Sequence, residues 1–248
     1  TRSSAASDVY KRQVIKNVKV DSSPREIQNK LKSIGLKPIN SIVDITNYVM
    51  HEIGQPLHAF DLDKIENITV KSLKSGTKFK TLDENEIKLN NEDLMICSNS
   101  EPLCLAGIYG GINSGVSEST NNLFLESAIF NSVIIRKSSK RHQLFTDASY
   151  RYERGVDPNK VIYALKRAAL LIKEINPECH ISEIIVEDNL KKEIKDVYLR
   201  YDRIEKVSGQ PIDKEIVTQI LTSLDFEIKG HSDDGIKLIA PEYRHDVF

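Results

Sequence analysis

Residues 123–130 read LFLESAIF, an apolar run of strand length carrying one charge, Glu126. The run predicts a buried strand, and an ionised carboxylate inside it is costly unless something pairs with it. Upstream, Ile68–Leu73, Thr77–Leu82, Glu86–Leu89, Leu94–Ser98 and Leu103–Ile108 are short β-type runs. The segments Lys74-Ser-Gly76, Asp83-Glu-Asn85, Asn90-Asn91 and Glu101-Pro102 supply turns between them. Helices frame this strand-rich stretch. Ser23-Pro24 opens the first, with Ser23 as the expected cap and Ile27, Leu31 and Ile34 on one face. The second is expected from Ser41, with Asp44 completing a capping box and Ile42, Ile45 and Val49 facing inward. After the apolar strand, Asn131 or Ser132 caps a helix that ends near the basic run Arg136–His142. Asp157-Pro158 opens another, with Val161, Leu165, Ala168 and Ile172 in register. Strands segregated from helices in this way indicate an α+β fold with a mixed or antiparallel sheet.

A charged run at Lys191–Asp196 marks a domain boundary, giving an expected large domain over 14–190 and a small one over 191–248. In the small domain, Leu199–Val207 and Asp213–Leu224 read as helices, and Phe226–Ile228 with Ile236–Ile239 as a hairpin. That pattern is winged-helix-like. The opening residues 1–13 are polar and without apolar period, so they are expected to be a non-native or disordered leader. The end at Phe248, directly after a strand-like run, is expected to truncate the small domain.

Composition excludes several classes. The 248 residues carry 35 Lys+Arg against 36 Asp+Glu, a net charge of −1, which disfavours indiscriminate nucleic-acid coating and a DNA-binding role. No apolar run reaches the ~20 residues of a membrane span. The three cysteines form no C-x-x-C pair, which fits a reducing cytoplasm. His51-Glu52 starts an H-E-x-x-H pattern that fails at Gln55. The glycine-rich loop 107–115 lacks the Lys of a P-loop, and no G-x-S-x-G elbow occurs.

Four blocks are more specific: VDITNYVMHEIGQPLHAFD (43–61), GIYGGINSGVSEST (107–120), LFLESAIF (123–130) and FTDASYRYERGVDP (145–158). Together they resemble the editing module of the bacterial phenylalanyl-tRNA synthetase β-subunit family. SGQPID (208–213) and APEYRHD (240–246) resemble the domain that follows it. The resemblance implies hydrolysis of mischarged Tyr-tRNA(Phe), in support of an α subunit within an α2β2 heterotetramer that charges tRNA(Phe). It implies ATP and Mg²⁺ for the whole enzyme and no cofactor for this stretch. The alternative is a scaffold that binds tRNA or the α subunit without hydrolysis.

The resemblance also assigns roles. Glu126 aligns with the reader of the phenol, whereas the bland reading pairs it with an Arg or with backbone amides. His58 is placed to orient the 3′-terminal ribose or the attacking water, and Asn47 to touch the same ligand. Thr146 and Ala148 form a second wall, the first in a catalytic role and the second leaving space for the ring. Gly110 and Gly111 are expected to bring backbone amides to the ligand. Lys137, Lys140 and Arg141 are candidate tRNA contacts or merely a solvated face. Asp246 matches the first member of a magnesium cluster complete only in the full-length protein. Lys37-Pro-Ile-Asn40 departs from the family's usual Arg-Pro-Leu-Asn.

Overall fold

The structure, a computed structural model, describes residues 7–188 and 196–247. The chain divides into two compact units, Thr1–Leu190 and Lys191–Phe248. The first contains β1 (Ser7–Lys16), α1 (Arg25–Ser33), α2 (Ser41–Ile53), β2 (Leu57–Asp61), β3 (Ile68–Ser72), β4 (Lys78–Lys80), β5 (Glu86–Lys88) and β6 (Leu94–Ser98). It continues with β7 (Glu101–Leu105), β8 (Tyr109–Gly110), β9 (Asn122–Phe130), α3 (Ser132–His142), α4 (Asp147–Tyr152), α5 (Lys160–Ile175), β10 (His180–Ile181) and β11 (Ile185–Asp188). The fold is α+β, and the strand pairings among the described residues are antiparallel.

The apolar strand sits at the centre. β9 pairs with β1 on one side and β2 on the other, and β1 in turn pairs with β10 and β11. Because side chains alternate along a strand, β9 feeds two cores. Leu123 and Leu125 join Ile42, Ile45 and Val49 of α2 and Ala164, Leu165 and Ala168 of α5. Phe124, Ala128 and Phe130 face the other way, into a core shared with the β3-β6-β7-β8 sheet. Burying one such Leu or Phe contributes about 2 kcal/mol. Glu126 falls on the second face by the same period.

The central sheet corrects the expectation that residues 1–13 stand apart. Ser7–Gln13 form most of β1, and Val9 and Tyr10 are buried in the core. They are retained because β9 needs hydrogen-bond partners on that edge. Residues 1–6 lie outside the described residues.

Several local readings also change. Ser23 does not cap α1; its hydroxyl donates to Asp44 Oδ2 at 2.5 Å. Asp44 makes no capping box, since Asn40 caps α2 and Asp44 Oδ1 accepts from Ile39 N. Glu101 and Pro102 belong to β7, and the turn falls at Asn99, whose φ of 52° is left-handed.

In the second unit, β12 (Asp196–Arg200), α6 (Tyr201–Ser208), α7 (Lys214–Ser223), β13 (Glu227–His231) and β14 (Gly235–Ile239) form two helices and a sheet ordered β12-β14-β13. Phe226, Ile236, Leu238 and Ala240 make its core. The expected helix from Leu199 begins at Tyr201, because Val197 and Leu199 alternate inward along β12. Of the charged run, residues 191–195 lie outside the described residues.

Candidate functional site

Register builds the site. His58 of β2 lies opposite Glu126 of β9, and Arg12 of β1 lies opposite Glu126 on the other side. A cavity of about 60 Å³ opens here, lined by Pro56, His58, Cys104, Gly110, Glu126 and Ala148 among others.

Glu126 is 3 % exposed. Arg12 does not neutralise it, because Arg12 Nη1 donates instead to Glu187 Oε1 at 2.7 Å. The hydrogen bond Glu126 receives comes from Tyr10 Oη, 3.2 Å from Oε2. Burial pushes its pKa up to about 8, with the Tyr10 hydrogen bond pulling the other way. The carboxyl is therefore mostly protonated at neutral pH. Burial and the neighbouring carboxyl push the Tyr10 phenol well above its ordinary value.

His58 is half-buried and stacks edge-on against Phe60 at 4.3 Å between centroids. Burial lowers its pKa to about 4, so it is a neutral imidazole near pH 7. A base that weak removes protons poorly but still donates from one ring nitrogen and accepts at the other.

The second wall comes from the 107–110 segment and α4. A Cβ on Gly110 would stand 2.8 Å from Leu82 Cδ1 and 3.2 Å from His58 Cε1, so a side chain there would crowd the imidazole. Gly111 does not reach the cavity. Its N–H donates to Leu103 O at 2.8 Å, so it offers no amide to a ligand. Thr146 caps α4: Oγ1 accepts from Ser149 N at 3.1 Å and donates to Ile108 O at 3.0 Å. Its hydroxyl proton is thus engaged by the Ile108 carbonyl, which ties α4 to the cavity wall. Ala148, two residues on, lines the cavity. Asn47 lies mid-way along α2, half-buried, and is not among the lining residues.

Tyr152 and Cys104 are among the lining residues to which the sequence reading gave no role. Tyr152 packs its ring on Phe130 and donates to Pro56 O at 3.4 Å. Cys104 carries a buried thiol whose pKa burial pushes well above its ordinary value. Tyr10, beside the cavity, was lost with the supposed leader, although it stands in the same strand run as Val14 and Ile15.

Of the basic residues, Lys137 and Lys140 project exposed from α3. Arg141 is exposed too, but its guanidinium is clamped by Asp93 and by Glu92 Oε2 at 2.7 Å. Asp246 is held by Arg244 through bonds of 2.8 and 2.9 Å. No group of three or more His, Cys, Asp or Glu side chains is arranged to hold a metal ion among the described residues. A carboxylate engaged by a guanidinium does not by itself supply the several oxygens that a magnesium ion needs. No helix among the described residues is long and apolar enough to cross a membrane.

Residues 6–177 match the model of the B3/4 domain, more than half of the chain. The chain belongs to the B3/4 domain family. Its residues 197–248 match the tRNA synthetase B5 domain. The B3/4 match begins at the same strand, β1, that the fold restores to the core. Among similar proteins, the phenylalanine--tRNA ligase beta subunit of Bacteroides thetaiotaomicron is 46 % identical across 94 % of this chain. That of Fusobacterium nucleatum is 40 % identical across 96 %. The chain spans 29 % and 30 % of their lengths, respectively. An N-terminal fragment of the phenylalanyl-tRNA synthetase beta-subunit from Pyrococcus horikoshii aligns over 96 % of this chain and 66 % of its own. The identity over that alignment is 16 % and the TM-score 0.46.

Proposed function

We propose that this chain is the editing segment of a phenylalanine--tRNA ligase β subunit and hydrolyses the ester of tyrosyl-tRNA(Phe). The observation that carries the reading is a buried carboxyl with one hydrogen bond, facing a small cavity opposite a neutral histidine. A synthetic site shaped for phenylalanine rejects an added hydroxyl only about a hundredfold. A second site that hydrogen-bonds the hydroxyl discriminates far more strongly, because phenylalanine leaves the buried polar group unpaired. Glu126 meets that requirement.

In this reading the tyrosyl ring enters between Gly110 and Ala148 with its hydroxyl on Glu126. His58, too weak a base to drive the step alone, orients a water or the terminal ribose hydroxyl. Water adds to the ester carbonyl and the carbonyl–oxygen bond breaks. One proton of the water goes to the departing 3′-terminal oxygen of the tRNA, the other passes to solvent, and tyrosine is released as its carboxylate. Lys137 and Lys140, exposed on α3, are assigned to phosphates of the acceptor end in the same reading. The α subunit, tRNA(Phe), ATP and Mg²⁺ belong to the larger assembly that charges the tRNA in the cytoplasm, and the ATP-dependent ligation is not assigned to this chain.

The test compares hydrolysis of Tyr-tRNA(Phe) and Phe-tRNA(Phe) by the chain. The expected result is preferential loss of the tyrosyl ester, with His58→Ala lowering the rate by about a hundredfold. A folded chain that binds tRNA and hydrolyses neither ester would point to the scaffold role instead.

A further inference from the structure

Glu126 has two oxygens in different situations. Oε2 accepts from Tyr10 Oη, and among the described residues Oε1 has no hydrogen bond although Glu126 lines the cavity. Nor is Oε1 among the buried polar atoms cut off without a partner, so it reaches open space. Tyr10 pairs with Ala128 across the β1–β9 ladder, one side-chain step from Glu126 on the same face. That diagonal spacing is within reach of an aromatic side chain. Tyr10 is 2 % exposed, so its ring is fixed by the core.

We propose that Tyr10 is a positioning residue for hydroxyl recognition: its phenol holds Oε2, fixes the carboxyl rotamer, and leaves Oε1 as the oxygen offered to a para-hydroxyl in the cavity. This inference rests on the editing role of the same site and names the device behind its selectivity. With Oε2 occupied, the carboxyl proton resides on Oε1 when Glu126 is neutral, and Oε1–H donates to the substrate phenol oxygen. When Glu126 is ionised, Oε1 accepts the phenol hydrogen. Both states satisfy a hydroxyl, and neither finds a partner on phenylalanine. The chain's own phenol thus makes at one oxygen the bond that the substrate's phenol makes at the other.

The groups around Glu126 leave this task to Tyr10. Arg12 of β1 is turned to Glu187. His58 of β2 is neutral near pH 7, and the Cys104 thiol of β7 and the Tyr152 phenol of α4 are held neutral by burial.

The experiment is a double-mutant cycle in the whole chain with Tyr10→Phe, which keeps the ring and deletes the donor, and Glu126→Ala. Two readouts are taken. The first is the ratio of kcat/KM for tyrosyl and phenylalanyl esters. Tyr10→Phe is expected to lower it about tenfold through KM for the tyrosyl ester, with phenylalanyl turnover unchanged, and to have no further effect in Glu126→Ala. The second is the carboxyl titration of Glu126 followed by ¹³C NMR, which Tyr10→Phe should move upward because a bond favouring the charged form is lost. An unmoved titration, or an equal loss of preference in the Glu126→Ala background, overturns the assignment. A wild-type chain with no tyrosyl preference, but with a titration that moves in Tyr10→Phe, overturns the editing reading while upholding the coupling.

Discussion

Two buried carboxylates in the first unit are treated in opposite ways. Asp93, 0 % exposed, follows β5 and is saturated. It accepts from Asn90 N at 2.7 Å, from Ser138 Oγ at 2.7 Å and from Arg141, with His142 Nε2 at 2.6 Å. Burial pushes its pKa up, but the Asn90 amide, His142 and Ser138 outweigh that, and the net direction is down. Glu126, almost equally buried, accepts one bond from a neutral phenol, and its pKa goes up to about 8. Asp93 ties α3 to the β5–β6 turn and has no capacity left for a ligand. Glu126 keeps one oxygen free. A carboxyl left short of partners in a cavity is what hydroxyl recognition requires, whereas a saturated one serves the fold.

The largest effect should come from breaking the saturated carboxylate. Asp93→Ala strands Arg141, His142 and Ser138 and should destabilise the chain by about 3 kcal/mol, measured by urea denaturation. A loss below 1 kcal/mol would erase the distinction between the two sites.

The next effect is a pH dependence of opposite sign at the two positions. Glu126 holds its proton to about pH 8 in the folded chain but only to about 4.5 unfolded. The folded state thus binds the extra proton, and its contribution to stability declines as pH rises through that window. For Asp93 the folded pKa is lowered below 3.8, so its contribution is lost as pH falls through that range. Glu126→Gln should therefore flatten the alkaline decline between about pH 5 and 8 and leave the acid limb as it is. A wild-type stability curve flat from pH 5 to 8 would contradict the raised pKa.

The smallest effect belongs to the surface. Lys137→Ala with Lys140→Ala should weaken tRNA binding about tenfold at low salt, reduce its salt dependence, and leave the tyrosyl preference unchanged. Equal tRNA affinity in the double variant would return these lysines to an ordinary solvated face.

Local pattern made part of this legible. The strand LFLESAIF, the helix around Ile42, Ile45 and Val49, and the helix carrying Leu165 and Ala168 follow from period alone, and they form the sheet and its helical layer. The lone charge in that strand pointed to Glu126. What period cannot show is which strands become neighbours. The meeting of Tyr10 with Glu126 spans 116 positions and depends on a register invisible in either segment. The polar start of the chain hid β1, whose only apolar marks in its first half are Val9 and Tyr10. α4, six residues long, is too short to display a helical period, so the capping duty of Thr146 went unread. Arg141 looked like a surface cation because its partners, Glu92 and Asp93, lie nearly fifty positions away.

The position of β1 has a consequence in time. It is sandwiched between β9 and the β10–β11 pair, so once made it waits for residues 122–130 and then 180–188 before both its edges are paired. At roughly 5–20 residues per second of synthesis, β1 stays unpaired for several seconds, an open edge with Val9 and Tyr10 uncovered. Lys11, Arg12 and Lys16 supply the charge along that edge during the wait. The buried carboxyl of Glu126 acquires its phenol partner only when β9 closes on β1, 116 positions after Tyr10 is made.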